Sequence, residues 1–134
     1  MALRLLIADD SLTTRRVVRR ALDLAHMEVE ITEAENGEAA WTHLCSQTFD
    51  VVLTDVHMPK LNGIELIGRM AADERLRAVP VIVLTSEAGF GRVAMLSRLG
   101  VRGYLRKPFT PEKVRDVLRD VVGDREHEAD QGAA

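Results

Sequence analysis

The chain has 134 residues, of which 46% are hydrophobic and 29% charged, and its net charge is −3. This size suits one globular domain, and the weak negative charge excludes a global basic field that would attract nucleic acid. No apolar run approaches the roughly 20 residues of a membrane-spanning helix. A single cysteine excludes an internal disulfide. We therefore predict a cytoplasmic protein without membrane insertion or direct nucleic-acid contact.

Short apolar runs alternate with longer segments of helical periodicity along the chain. The runs predict five strands, at residues 3–8, 28–32, 51–54, 81–84 and 103–105. The first, third and fourth runs are almost unbroken Val, Leu and Ile, a composition typical of strands that are covered on both faces. These three runs are therefore expected to form the centre of a parallel sheet.

Five helices are predicted between and after these strands. The first follows strand one and carries an arginine cluster opposite its apolar stripe, which we interpret as a solvated face or a docking surface: Arg15, Arg16, Arg19 and Arg20. The next three lie at residues 38–46, 64–72 and 92–99. The fifth begins with Thr110 as its N-cap and Pro111 as its first helical residue.

This alternation predicts an α/β fold, a doubly wound five-stranded parallel sheet with five helices on its two faces. We expect one domain over residues 1–123. Residues 124–134 are polar, small and acidic, and are predicted to form a disordered C-terminal tail.

Polar side chains follow the predicted strands at the edge where an open parallel sheet binds its ligands. Strand one ends in Asp9 and Asp10, strand three in Asp55 and strand four in Thr85, while strand five leads to Lys107. Clustered carboxylates repel one another, a conflict that a hard divalent cation such as Mg²⁺ removes. With one ammonium and one hydroxyl added, the set suits the transfer of a phosphoryl group to a carboxylate nucleophile.

The motifs around these residues resemble those of the response regulator receiver family, particularly its stand-alone chemotaxis-type members. In chain order they are Asp9-Asp10-Ser11, Ala34-Glu35-Asn36-Gly37, Asp55-Val56-His57-Met58-Pro59 followed by Gly63, Leu84-Thr85-Ser86, Gly103-Tyr104 and Lys107-Pro108-Phe109. The resemblance extends from Leu3 to about Val122. It implies a flavodoxin-like fold with the strand order 2-1-3-4-5.

The resemblance also implies a metal site and a phosphorylation site. Asp55 would be the phosphoacceptor. Asp10, Asp55 and the backbone carbonyl of His57 would bind Mg²⁺, or Mn²⁺ as a substitute, and Asp9 would act through a metal-bound water. Lys107 would pair with the phosphoryl oxygens, and its peptide bond to Pro108 is expected to be cis.

Four further side chains have roles implied by their position in these motifs. Thr85 would be drawn inward by the phosphoryl group, and Tyr104 would turn from an exposed to a buried position. The side chains of His57 and Glu87 would overhang the phosphate and affect the placement of an attacking water. A solvated loop histidine is the alternative for His57.

The implied function is a phosphorylation switch in a two-component system or phosphorelay. A sensor histidine kinase, a phosphotransfer protein or a small phosphodonor would phosphorylate Asp55. The surface of the fourth predicted helix, the fifth strand and the fifth predicted helix would then bind an unidentified downstream protein. We expect a monomer or a phosphorylation-dependent dimer, and no catalysis beyond the protein's own phosphoryl transfer and autodephosphorylation.

Three alternative functions compete with this interpretation. A phosphatase of the haloacid dehalogenase type needs a second aspartate two residues after its nucleophile, and that position is His57. A flavin-binding module needs small hydroxyl residues or glycines after strand one, where Asp9 and Asp10 would repel a phosphate. The chain could also be the receiver part of a longer regulator with a DNA-binding or enzymatic output. The short segment after Val122 favours a stand-alone protein.

Overall fold

The structure is a computed structural model that describes residues 2–86 and 99–133, without the side chains of 124–133. Its strands are β1 (Leu3–Ala8), β2 (Val29–Ala34), β3 (Val51–Asp55), β4 (Val81–Thr85) and β5 (Val101–Arg106). Its helices are α1 (Leu12–Leu24), α2 (Gly37–Ser46), α3 (Gly63–Ala72) and, as the last helix described, α4 (Pro111–Ala133). No helix in the described ranges is both long and apolar enough to cross a membrane.

The described residues contain four of the five predicted helices. The predicted helix at residues 92–99 lies outside them apart from its last residue, Leu99. Helix α4 begins at Pro111 as predicted, and Thr110 caps it because its Oγ1 accepts a hydrogen bond of 3.2 Å from the Lys113 N–H. Its backbone stays helical through residues 124–133, the segment for which we predict a disordered tail. The domain boundary at residue 123 stays a prediction.

The five strands form one parallel sheet in the order β2-β1-β3-β4-β5, which confirms the predicted order. Every residue of β3 and β4 is buried, because helices cover both faces of these central strands. One face packs against α2 and α3 through side chains that include Leu6, Val52, Val83, Leu44 and Leu66. The other face packs against α1 and α4 through Leu5, Leu53, Ile82, Leu22 and Leu118, among others.

Short polar loops turn the chain from strand to helix at the carboxyl edge of the sheet. Ser11, Asn36 and Asn62 each cap the following helix, with side-chain oxygens that accept hydrogen bonds of 3.2, 2.8 and 2.9 Å from backbone N–H groups. Because β1 lies between β2 and β3, the chain order reverses at this point, which is where open parallel sheets bind their ligands. The residues that follow β1 and end β3 lie at this point of the sheet edge.

Gly63 lets α3 begin directly against the end of β3. A Cβ atom at this position would overlap the backbone carbonyl oxygen of Asp55. The Gly63 N–H also donates a hydrogen bond of 3.0 Å to the carbonyl of Val56. The close approach of two backbones therefore requires a residue without a side chain.

We predict that Gly63→Ala lowers the free energy of unfolding by about 2 kcal/mol or more, because backbone atoms must move to admit the methyl group. Gly68→Ala on the same helix is the matched control, since a Cβ there has no neighbour within 4 Å. That control is expected to be more stable by up to about 1 kcal/mol. Urea unfolding measures both, and equal stability of the two variants would show that the backbone contact is unimportant.

Candidate functional site

Three aspartates meet at the carboxyl edge of β1 and β3. One carboxylate oxygen from each of Asp9, Asp10 and Asp55 lies within 4.8 Å of the other two. Asp9 and Asp55 are buried, whereas Asp10 is exposed. The cluster forms because Asp9 and Asp10 directly follow β1, and Asp55 ends the neighbouring parallel strand β3.

Lys107 joins this cluster from the end of β5. Its Nζ lies 2.8 Å from Asp9 Oδ2 and 3.0 Å from Asp55 Oδ2, so that one ammonium bridges two carboxylates. The Lys107 N–H donates a hydrogen bond of 2.8 Å to the carbonyl of Thr85, which holds the two strand ends together. The peptide bond between Lys107 and Pro108 is cis, which confirms that prediction.

Burial and charge act in opposite directions on the ionisation of this cluster. Burial raises the pKa of the Asp9 carboxyl and the negative charge of Asp55 adds to it, while Lys107 and the Ser11 N–H only partly oppose the rise. Burial would lower the pKa of the Lys107 ammonium, but its contacts with both carboxylates outweigh burial and raise that pKa. The cluster therefore contains three carboxylates, of which the Lys107 ammonium contacts two, and this leaves excess negative charge.

The carboxylates differ in how their oxygens are held. Asp55 Oδ1 accepts a hydrogen bond of 3.1 Å from the His57 N–H, and its Oδ2 pairs with Lys107. Asp9 Oδ1 accepts a hydrogen bond of 2.8 Å from the Ser11 N–H. Asp9 Oδ2 is buried and, apart from its ion pair with Lys107, receives no well-directed hydrogen bond from the described residues. An all-oxygen donor set with excess negative charge and an incompletely satisfied buried oxygen fits a hard divalent cation.

The residues predicted to act as a switch belong to β4, which ends at Thr85, and to β5, which contains Tyr104. Thr85 is buried, and its Oγ1 donates a hydrogen bond of 2.8 Å to the carbonyl of Ser86. Tyr104 is half-buried against the side chains of the α2 and α3 face, and this burial raises the pKa of its hydroxyl. The His57 side chain is exposed, and Glu87 lies outside the described residues. The roles predicted for these four residues stay predictions.

The structure also places Arg15 at the site, a residue predicted only as part of the arginine cluster on the first helix. Arg15 of α1 donates a hydrogen bond of 2.6 Å from Nη1 to the backbone carbonyl of Asp9. Its Nε and the Nε of Arg19 each lie 2.8 Å from a carboxylate oxygen of Glu33, near the end of β2. Burial would raise the pKa of the Glu33 carboxyl, but the two guanidinium groups outweigh it and lower that pKa.

The arginine cluster is thus not one uniform solvated face. The Arg15 side chain is only 12% exposed, whereas Arg16 and Arg20 are exposed. Helical spacing could group Arg15 with Arg19, since residues four apart share a stripe. Only the pairing of β1 with β2 brings Glu33 beside them, and that pairing leaves no local signal in the sequence.

Residues 5–119, which carry the whole of this site, match the family model of the response regulator receiver domain. The chain belongs to this family. Chemotaxis protein CheY1 of Helicobacter pylori is 37% identical over 122 residues, which are 90% of this chain and 98% of that protein. The chemotaxis protein CheY of Pseudomonas aeruginosa is 36% identical over 120 residues, 89% of this chain and 95% of that protein.

Solved structures agree with this assignment. The chemotaxis response regulator CheY4 of Vibrio cholerae has a TM-score of 0.81 and 29% identity, covering 90% of this chain and 99% of that chain. The receiver domain of AraT, a response regulator from Geobacillus stearothermophilus, has a TM-score of 0.80 and 35% identity. The match covers 96% of this chain and 99% of that chain. The chain is therefore a CheY-like receiver domain of two-component signalling, and receiver domains are not conventional enzymes. The phosphatase and flavin-binding alternatives are not favoured.

We predict that Lys107→Met lowers the free energy of unfolding by about 2 kcal/mol in metal-free buffer, because it leaves two carboxylates without their shared cation. The loss is smaller than for a fully buried pair because the Lys107 side chain is 24% exposed. Lys113→Met, at an exposed position of α4, is the matched control and is expected to change stability little. Urea unfolding in EDTA measures both. A Lys107→Met protein as stable as its control would contradict a stabilising role for the bridge.

Proposed function

We propose that this receiver domain is a Mg²⁺-dependent switch whose phosphoacceptor is Asp55. The observation that carries the proposal is the cluster of three carboxylates and the Lys107 Nζ at the carboxyl edge of the sheet. Asp55 is suited to the role because the His57 N–H holds one of its oxygens and Lys107 the other, so the nucleophile is already oriented. The receiver domain is taken to comprise residues 1–123, followed by a tail at 124–134.

In this proposal the Asp10 and Asp55 carboxylates and the backbone carbonyl of His57 would hold Mg²⁺, or Mn²⁺ in its place. Asp9 would contribute through a water, while its buried Oδ2 keeps the ion pair of 2.8 Å with Lys107. A cation held there would offset the charge of the carboxylates and of the phosphoryl oxygens. Asp10 is the exposed member of the cluster and therefore the carboxylate that solvent reaches first.

Phosphorylation then needs only one substitution at phosphorus. A carboxylate oxygen of Asp55 forms a bond to phosphorus while the bond to the donor breaks, and the leaving group departs with that electron pair. The donor is the phosphohistidine of a sensor kinase or phosphotransfer protein, or a small acyl phosphate. Lys107, already 3.0 Å from Asp55 Oδ2, donates to the phosphoryl oxygens as their charge develops.

The resulting acyl phosphate is lost when water attacks phosphorus and Asp55 is regenerated as a carboxylate. This autodephosphorylation is the only hydrolysis we propose for the protein. The side chains of His57 and Glu87 follow Asp55 and Thr85 by two positions each, and we propose that they adjust its rate. His57 is exposed, so its ring is free to approach an incoming water.

The phosphoryl group changes the output surface through Thr85 and Tyr104. Thr85 turns its hydroxyl from the Ser86 carbonyl towards the phosphate, and Tyr104 moves from its half-buried position into the space behind it. Reversing an equilibrium in which the active conformer is roughly 1% populated requires about 5.5 kcal/mol. Charge-assisted hydrogen bonds to the phosphoryl group supply a large part of such a difference.

The proposed readout surface is β5, α4 and the predicted helix at residues 92–99. A downstream protein would bind this surface in the cytoplasm, with the receiver acting as a monomer or as a phosphorylation-dependent dimer. Lys107 and Tyr104 belong to the same strand and its immediate continuation, which provides a short covalent route from the site to that surface.

Asp55→Asn is expected to abolish phosphorylation, because an amide is a poor nucleophile and provides one ligand oxygen fewer. Incubation with acetyl phosphate and Mg²⁺, followed by intact-mass spectrometry, should show one added phosphoryl group on the wild type and none on Asp55→Asn. The control Asp120→Asn, an exposed position of α4, should be labelled like the wild type. EDTA should prevent labelling of the wild type and of Asp120→Asn. Normal labelling of Asp55→Asn would refute the assignment of the phosphoacceptor.

A further inference from the structure

Arg15 connects three elements around the acidic cluster. Its guanidinium donates to the Asp9 carbonyl from Nη1, at 2.6 Å, and to Glu33 Oε1 from Nε, at 2.8 Å. Arg19, one helical turn later, holds the second oxygen of Glu33 at 2.8 Å. A planar guanidinium that uses two nitrogens in fixed directions restrains both partners more than a lysine ammonium would.

The carbonyl that Arg15 holds belongs to the peptide group between Asp9 and Asp10. A peptide group is planar, so fixing its oxygen also fixes the N–H and the Cα of Asp10. The Asp9 N–H is held on its other side by a hydrogen bond of 3.0 Å to the Ala34 carbonyl. The exposed Asp10 side chain therefore receives its direction from a backbone that Arg15 and β2 hold in place.

Glu33 determines both the orientation and the net charge of this arrangement. It accepts from Arg15 and Arg19 with different oxygens, so the Arg15 side chain cannot rotate without losing an ion pair. Its negative charge also partly offsets the two arginines close to a site that is proposed to attract a cation. Glu33 thus permits a guanidinium to lie against the Asp9 backbone without leaving its full charge beside the acidic cluster.

We propose that Arg15 is a positioning residue for the cation site, acting through the Asp9 carbonyl on the direction of the Asp10 carboxylate, with Glu33 as its anchor. This inference rests on the proposed function, since it assigns Asp10 to cation binding. It adds a residue outside the acidic cluster whose loss weakens cation binding although its own charge is positive.

The direction in which cation affinity changes when Arg15 is removed distinguishes a positioning role from a purely electrostatic one. If only charge mattered, removal of a cationic side chain near the cluster would strengthen the binding of a divalent cation. If Arg15 orients Asp10, its removal weakens binding. Removal of a residue that supports a metal ligand commonly costs 10–100-fold in affinity. We place Arg15 at the lower end of that range, because the exposed Asp10 can still sample its binding direction.

The test is isothermal titration of Mg²⁺ alone into the unphosphorylated protein. Arg15→Gln is expected to raise the Kd for Mg²⁺ about tenfold. Arg15→Lys keeps the positive charge but loses the planar guanidinium that donates from two nitrogens, and it is expected to raise the Kd by a smaller factor. Arg16→Gln is the matched control, with the same charge change on the next residue of α1, and should leave the Kd unchanged or slightly lower. A Kd for Arg15→Gln equal to or below that of Arg16→Gln would overturn the inference.

Additional measurements distinguish a folding defect, a failure of the proposed function and a failure of the inference about Arg15. Urea unfolding in EDTA should show cooperative transitions for every variant, and Arg15→Lys decides the question if Arg15→Gln does not fold. A Kd for Arg15→Lys identical to that of the wild type would then overturn the inference. If the wild type itself binds no Mg²⁺, the proposed function fails. If the wild type binds Mg²⁺ and the Arg15 variants bind it equally well, only the inference fails.

Discussion

The central physical constraint in this protein is the electrostatic repulsion among carboxylates that cluster at one edge of the sheet. Asp9, Asp10 and Asp55 lie close enough to repel one another, and two of them are buried. Lys107 relieves part of this repulsion through contacts of 2.8 and 3.0 Å, and the excess negative charge provides the attraction for a divalent cation. Stability and signalling are therefore coupled: the charges that disfavour the metal-free site are those that a cation and a phosphoryl group require.

The fold could be predicted from the sequence where the signals are local. The central strands are unbroken apolar runs because helices bury both of their faces. The edge strand β2 is only partly buried, so its apolar signal is weak, and it spans Val29–Ala34 rather than the predicted residues 28–32. Its last two residues become a strand by pairing with Ile7 and Ala8 of β1. Likewise, β5 begins at Val101, two residues early, because Val101 pairs with Val81.

The residues of the site likewise divide into those with a local sequence signal and those that depend on tertiary pairing. Asp9, Asp55 and Lys107 could be singled out because each lies at or just after a strand end, and parallel strands bring such ends together. Arg15 could not be separated from its neighbouring arginines, because its partners belong to a different strand and to the backbone. Local patterns thus identify groups that act directly on a ligand. Residues that orient those groups become visible only when the tertiary pairing is known.

The most direct test of the account is the free energy of unfolding of the wild type and of Asp10→Asn, each measured in EDTA and in saturating Mg²⁺. We expect Asp10→Asn to be the more stable protein in EDTA, because one repelling charge is gone. Mg²⁺ should stabilise the wild type by about 2.7 kcal/mol at a hundredfold excess over its Kd, and Asp10→Asn far less. Equal responses to Mg²⁺, or a wild type more stable than Asp10→Asn in EDTA, would contradict it.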